Sequence, residues 1–181
     1  MKRNIIVLMV SVLITLAGFI AVQALSVGQV VSNVTIKDSS NNPTSLPDFG
    51  TKVLTIVYAD STAADFSDPI SDALKAKKFP ESKNRGFGIA NCADSKWVAD
   101  SLIRTLSRNK EKKYNTKVLT DLDLTFGKAW GLGDCDDKSV FIIVGKDKVV
   151  KYIKKFSKNS KPTQSDIDEA VKIVDALVNG K

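Results

Sequence analysis

Cys92 and Cys135 are the two cysteines of the 181-residue chain, and no histidine accompanies them. Without histidine, Ser-His-Asp and Cys-His catalysis are excluded and the commonest transition-metal ligand is missing. Any chemistry must therefore use Cys, Asp, Glu, Lys, Thr or Tyr. Three readings of the cysteine pair stand open: a structural disulfide, two buried thiols, or a redox-active or metal-binding pair. Asp94, Asp134, Asp136 and Asp137 crowd the same stretches of sequence, and their charge raises rather than lowers a thiol pKa. Two thiolates with carboxylates and no histidine form an uncommon metal set, so neither a metal nor a cofactor is expected.

The N-terminus decides which compartment these cysteines meet. Lys2 and Arg3 precede an uncharged run from Ile5 to Val22, and Val22-Gln23-Ala24 places small residues at the −3 and −1 positions of a secretory cleavage site. Residues 1–24 are read as a signal peptide and residues 25–181 as one exported domain. An uncut N-terminal membrane anchor is the alternative, since the run is long enough to span. No cysteine follows the run to carry a lipid. An exported chain with an even cysteine count favours a disulfide.

The 27 basic and 20 acidic residues give a net charge of +7. Two of the basic residues lie in the leader, and the remaining surplus is spread over lysine-rich helix ends and the segment 146–161. It forms no Arg-aromatic stripe, so nucleic acid is not expected as a partner. The expected partner is a periplasmic protein or small ligand, with membrane contact only through the leader before cleavage.

The elements that must position these residues follow from pattern. Residues 26–48 read as an edge strand closed by the turn Asp38 to Pro43. Val53 to Tyr58 is a nearly continuous apolar run of the kind buried on both faces of a parallel sheet. Asp68 is expected to cap and Pro69 to open a helix with Ile70, Ala73 and Leu74 inward, ending near Phe79-Pro80. Gly86 to Ala90 forms the next strand. Asp94 or Ser95 is expected to cap a helix whose apolar stripe is Val98, Leu102 and Leu106. Val118-Leu119 is a strand, Asp121 to Trp130 a short helix ending at Gly131, and Ser139 to Val144 a strongly apolar strand. The chain turns over Gly145 to Lys148 into a hairpin through Tyr152. A last helix opens at Thr163 or Ser165 and buries Ile167, Ala170, Val171, Val174, Leu177 and Val178.

This order, a parallel βαβ unit followed by an antiparallel hairpin and a closing helix, resembles thioredoxin. The expected fold is α/β, a central mixed sheet of about four to five strands flanked by helices, with an N-terminal edge strand. Phe79-Pro80, Ile89-Ala90-Asn91, the stretch from Leu102-Ile103-Arg104 through Arg108-Asn109-Lys110 to Lys113-Tyr114, and Ala129-Trp130-Gly131-Leu132 are similar to the YtfJ family of exported thioredoxin-like proteins. The resemblance implies a periplasmic thioredoxin-like domain of poorly defined activity.

In that frame the oxidoreductase motif is replaced. Thr62 stands in place of the attacking cysteine and Asp65 in place of the resolving one, so the loop offers no thiolate for disulfide or peroxide chemistry. The proline that redox members hold in cis is replaced by the stretch Asp136-Asp137-Lys138. Asp60, Thr62, Asp65 and Lys138 remain candidates for binding a ligand, although aspartates in such a loop also serve as caps. The proposed topology brings Cys92 and Cys135 to the same end of the sheet. The expected function is that of a non-catalytic binding or accessory protein. The alternative is a thiol-disulfide oxidoreductase whose dithiol has moved to Cys92 and Cys135.

N-terminal sequencing of the exported protein is expected to begin at Leu25. A membrane-bound species of full-length mass would instead establish the anchor.

Overall fold

The computed structural model describes residues 23–95 and 98–180. The leader lies outside these residues, and so do the readings of it as signal peptide or anchor. Among the described residues no helix is long and apolar enough to cross a membrane.

The strands are β1 (Thr35–Asp38), β2 (Pro43–Ser45), β3 (Val53–Ala59), β4 (Asn84–Asn91), β5 (Lys117–Asp121), β6 (Lys138–Val144) and β7 (Val150–Ser157). The helices are α1 (Asp68–Ala76), α2 (Asp100–Tyr114), α3 (Thr125–Ala129) and α4 (Gln164–Asn179). One mixed sheet runs in the order β2-β1-β5-β4-β3-β6-β7. It has seven strands where four to five were expected. The difference is the β1–β2 hairpin, which pairs Lys37 and Asp38 antiparallel with Thr120 and Leu119 and so extends the sheet beyond β5.

The β-branched run of β3 is the spine. It pairs parallel with β4 from Val53 to Ala59 and antiparallel with β6 from Leu54 to Ala59. Its alternating side chains feed two cores. Leu54, Ile56 and Tyr58 join Phe126, Trp130, Val140 and Ile142 on the face covered by α3. Val53 joins Ile70, Leu74, Phe141, Ile143, Ala170 and Val174 on the face covered by α1 and α4. Helix α4 starts at Thr163 as the sequence indicates, with Thr163 and Asp166 forming a reciprocal capping box.

Both sheet edges resist further pairing. At one edge β2 is three residues long and begins with Pro43. At the other β7 carries Lys151, Lys154 and Lys155, which discourage edge-to-edge pairing.

Helix α2 departs from expectation in two ways. It begins at Asp100, behind Ala99, which supplies no side-chain cap. Ser95 is used elsewhere, donating to the Asn91 carbonyl at 2.9 Å and accepting from Ser61 N at 3.1 Å. Asp94 accepts from Asn91 Nδ2 at 2.6 Å. The helix is also rotated relative to the expected stripe: Ile103 and Ser107 are buried, whereas Leu102 and Leu106 are 51% and 47% exposed. Polar ties fix this rotation. Glu111 accepts from Ser39 Oγ and from Val118 N, Arg108 donates to the Ser39 carbonyl, and Tyr114 donates to Asp68.

Alanine substitution separates the two faces. Ile103→Ala is expected to cost about 2–5 kcal/mol and Leu102→Ala less than about 1 kcal/mol, read from urea midpoints. Equal losses would place Leu102 in the core.

Candidate functional site

Strands β3, β4 and β5 run parallel, and β6 runs against β3 with Ala59 opposite Ser139. The loops after β3, β4 and β5 therefore gather with the loop entering β6 at one end of the sheet. In open α/β sheets this carboxyl end is where ligands and reactive groups are presented.

The β3–α1 loop is organised by Asp60, a carboxylate that is 2% exposed. Its Oδ1 accepts from Thr62 N, Thr62 Oγ1 and Ala63 N, each at 2.9 Å. Its Oδ2 accepts from Asp137 N at 2.6 Å. Thr62 Oγ1 also lies 2.6 Å from Asp137 Oδ1. A buried charge is tolerated when hydrogen bonds replace its water, and Asp60 receives three from backbone N–H groups, with the single Thr62 hydroxyl proton shared between it and Asp137. Its carboxylate thus ties the loop bearing Thr62 to the loop leading into β6.

At Asp137 the backbone takes φ 54°, in the left-handed region, and no cis peptide bond occurs among the described residues. The Asp137 N–H, which could otherwise meet an extended peptide, is consumed by Asp60. A second tie lies behind it, where the buried Ser67 and Ser139 hydroxyls meet at 2.6 Å. Ser67 occupies the N-cap position of α1 without capping it through its side chain. Asp68, expected as the cap, is the first residue of the helix and receives the Tyr114 hydroxyl at 2.7 Å.

Of the four candidate binding residues, Asp60 and Thr62 are brought together and the other two are not. Asp65 is exposed and pairs with Lys110 at 2.6 Å, and that ammonium holds its carboxyl below the usual range. Lys138 pairs with Asp134. Carboxylate oxygens of Asp60, Asp136 and Asp137 approach within 4.8 Å of one another. A hard cation takes six to eight oxygens, whereas both oxygens of Asp60 are already committed to N–H and O–H donors.

Both cysteines are buried, Cys92 at 7% and Cys135 at 1% exposure. Cys92 follows β4 directly and donates to the Ala90 carbonyl at 3.5 Å. Cys135 donates to the Leu132 carbonyl at 3.8 Å. Burial pushes the Cys135 thiol pKa up, Lys155 pulls it down, and Asp94 and Asp134 push it further up. Asp94 stands two residues after Cys92, so the loop carrying Cys92 is within electrostatic reach of Cys135.

The residue that sequence reasoning underrated is Asp121, read as the first residue of a short helix and found at the end of β5. It is fully buried, and its Oδ2 accepts from Tyr58 OH and from Gly127 N, both at 3.1 Å. Its Oδ1 has no hydrogen-bond partner. Burial raises the Asp121 pKa, against the pull of the Gly127 and Phe126 amides and of Tyr58. Burial likewise drives the Tyr58 phenol upward, and Asp121 adds to the shift. The signal available in sequence was a carboxylate two residues after Leu119, in register for the core face. Around this pair Tyr58, Phe126 and Trp130 stack at centroid separations of 5.4 and 4.6 Å, and Trp130 Nε1 donates to the Ser32 carbonyl at 2.9 Å. Gly131 is required here: it has φ 63°, and a Cβ would strike the backbone carbonyl of Gln23. Its own carbonyl accepts from Leu25 N at 3.1 Å.

A parallel β3–β4–β5 unit, the antiparallel β6–β7 hairpin and a helix-opening loop at the carboxyl end of β3 define a thioredoxin-like domain. Its structural neighbours agree. A hypothetical protein from Sinorhizobium meliloti superposes with TM-score 0.63 at 18% identity, covering 88% of this chain and 87% of that one. A peroxiredoxin-like protein from Aquifex aeolicus gives 0.59 at 14%, covering 86% and 90%. The pneumococcal exposed lipoprotein thioredoxin of Streptococcus pneumoniae gives 0.58 at 11%, covering 81% and 100%. At these identities the likeness is one of fold. No curated protein matches the chain. Residues 26–177 match the family described as bacterial protein of unknown function (YtfJ_HI0045), and the chain belongs to that family.

The buried carboxylate yields a signed prediction. A raised folded-state pKa means that protonated Asp121 stabilises the fold fully below the ordinary carboxylate pKa, and that this contribution is lost as pH rises through the folded value. Asp121→Asn is therefore expected to gain stability relative to wild type as pH rises above about 4, where the unfolded carboxyl ionises. Tyr58→Phe, which removes one of the two donors, is expected to lose about 1–3 kcal/mol at pH 7. Denaturant midpoints across that range test both, and a pH-independent difference for Asp121→Asn would refute the burial argument.

Proposed function

We propose that this protein is a non-catalytic binding or accessory protein of the bacterial periplasm, built on a thioredoxin-like domain that has given up exchange chemistry at its β3–α1 loop. The observation that carries the reading is the Asp60 carboxylate, which bonds Thr62 at the former nucleophile position to Asp137 at the former proline position. Thr62 is engaged with carboxylates on both sides. A hydroxyl, even with carboxylates beside it, gives no thiolate for disulfide exchange. The peptide-holding shelf is closed from the inside by the same carboxylate. Partner recognition then falls to surfaces outside this knot, and loss of catalysis is compatible with retention of the fold.

A second reading, a relocated dithiol, has one observation in its favour: Cys92 and Cys135 stand at the carboxyl end of β4 and the entry to β6, the same end of the sheet. An attacking cysteine needs access and a lowered pKa. Cys135 is 1% exposed, and burial leads the causes that raise its pKa. Those conditions suit a structural bond, whose formation the exported setting favours.

The protein is expected to show no insulin-reductase or peroxidase turnover above a thiol-free control. Turnover that disappears in Cys92→Ser would replace the binding reading with the relocated dithiol. Mass spectrometry of the exported protein is expected to show a Cys92–Cys135 linkage whose reduction costs a few kcal/mol, about 2–4 in the chain-entropy model, without loss of fold. Its potential should lie below about −300 mV, as for structural disulfides. Two alkylatable thiols in the exported protein would refute the bond.

A further inference from the structure

We propose that the outer face of α2 is a docking surface for an anionic membrane. Leu102 and Leu106, one turn apart, are 51% and 47% exposed. Apart from Val27 and Val30 in the N-terminal segment, they are the exposed large apolar side chains among the described residues. The helix bearing them holds five basic residues, Arg104, Arg108, Lys110, Lys112 and Lys113, against Asp100 and Glu111. Among the described residues Arg104, Arg108 and Lys112 form no ion pair. Leucines facing outward, with exposed Lys113 on the same stripe and exposed Lys112 beside it in the last turn, make the pattern of a helix that lies in a bilayer interface.

The rotation of α2 makes this more than a stray exposed residue. The helix turns the poorer side, Ile103 and Ser107, toward the sheet and the leucines away from it. The side-chain bonds of Glu111, Arg108 and Tyr114 hold it so.

Charge selects the occupant. A second copy across a twofold axis would set this cationic helix against itself, and like charges repel at that distance. A protein partner needs about 800 Å² of complementary surface per side, and two half-exposed leucines on a convex helix offer no such pocket. A bilayer imposes no shape, accepts leucines among its acyl chains and attracts each cation near an anionic headgroup plane. The result would add a membrane contact to the one expected of the leader, and it does not rest on the proposed function of the β3–α1 loop.

Flotation of the exported protein with vesicles tests it. Binding is expected to vesicles of 30% phosphatidylglycerol in phosphatidylcholine and not to phosphatidylcholine alone, with release in 0.5 M salt. Leu102→Ser/Leu106→Ser is expected to weaken binding at least fivefold. Lys112→Gln/Lys113→Gln, which leaves the apolar pair intact, should do the same and serves if the first variant folds poorly. Equal binding to neutral vesicles, no binding to anionic ones, or binding indifferent to both variants overturns the proposal. So does binding to poly-glutamate as tight as to vesicles, which would assign the face to an acidic protein.

Discussion

The arrangement of loops at the carboxyl end of the sheet depends on the burial of one charge. Asp60 ends the central strand run, where water is excluded on both sides, and its carboxylate is affordable only with its lone pairs filled. Two N–H donors come from the two residues following Ser61, with the Thr62 hydroxyl shared between Asp60 and Asp137, and one N–H comes from Asp137, in a loop more than seventy residues away. The local bonds shape the turn into α1. The distant bond fixes where the chain must pass before it enters β6, and with it the positions of Cys135 and Lys138.

A second buried carboxylate works by the opposite balance. Asp60 is fully supplied with donors, whereas Asp121 has one oxygen bonded twice and the other without a partner. The same fold thus contains a carboxylate that secures a loop and one whose ionisation strains the core. Tyr58 lies on the Asp121 side of the sheet, and its ring packs against Phe126, so the strain is set within the aromatic cluster that anchors α3.

The contrast between what pattern reveals and what it hides is sharpest in two helices. In α4 the capping box and a single apolar face agree, so Thr163, Ala170, Val174 and Val178 were readable from sequence. In α2 two stripes of spacing four compete, Val98-Leu102-Leu106 and Ala99-Ile103-Ser107. The more apolar one attracts the reading. What decides between them is long-range: Ser39 in the turn after β1 and Val118 in β5 capture Glu111, and Asp68 in α1 captures Tyr114. None of these partners is marked by local pattern. The return strand β2 was hidden for a similar reason, since three residues beginning with proline carry little periodicity, and so was the pairing of β1 with β5. In the candidate site, the absence of a Cys-x-x-Cys motif was legible because it is a matter of residue identity. The Asp60–Asp137 bond was not, because it joins two loops with no shared motif.

The chemistry of Cys135 follows from the same packing. A thiolate in this position would have to be stabilised by a cation, and the nearby one is Lys155. Its ammonium already donates to the carbonyls of Leu132 and Asp134, closing the loop that contains the cysteine. Lys138, the other cation in range, is held by Asp134. Each positive charge that could activate the sulfur is thus spent on the backbone or on the carboxylates flanking it, and burial outweighs what remains. The loop gains order from the same lysines that pull the thiol pKa down, and burial, the larger effect, leaves that pKa raised.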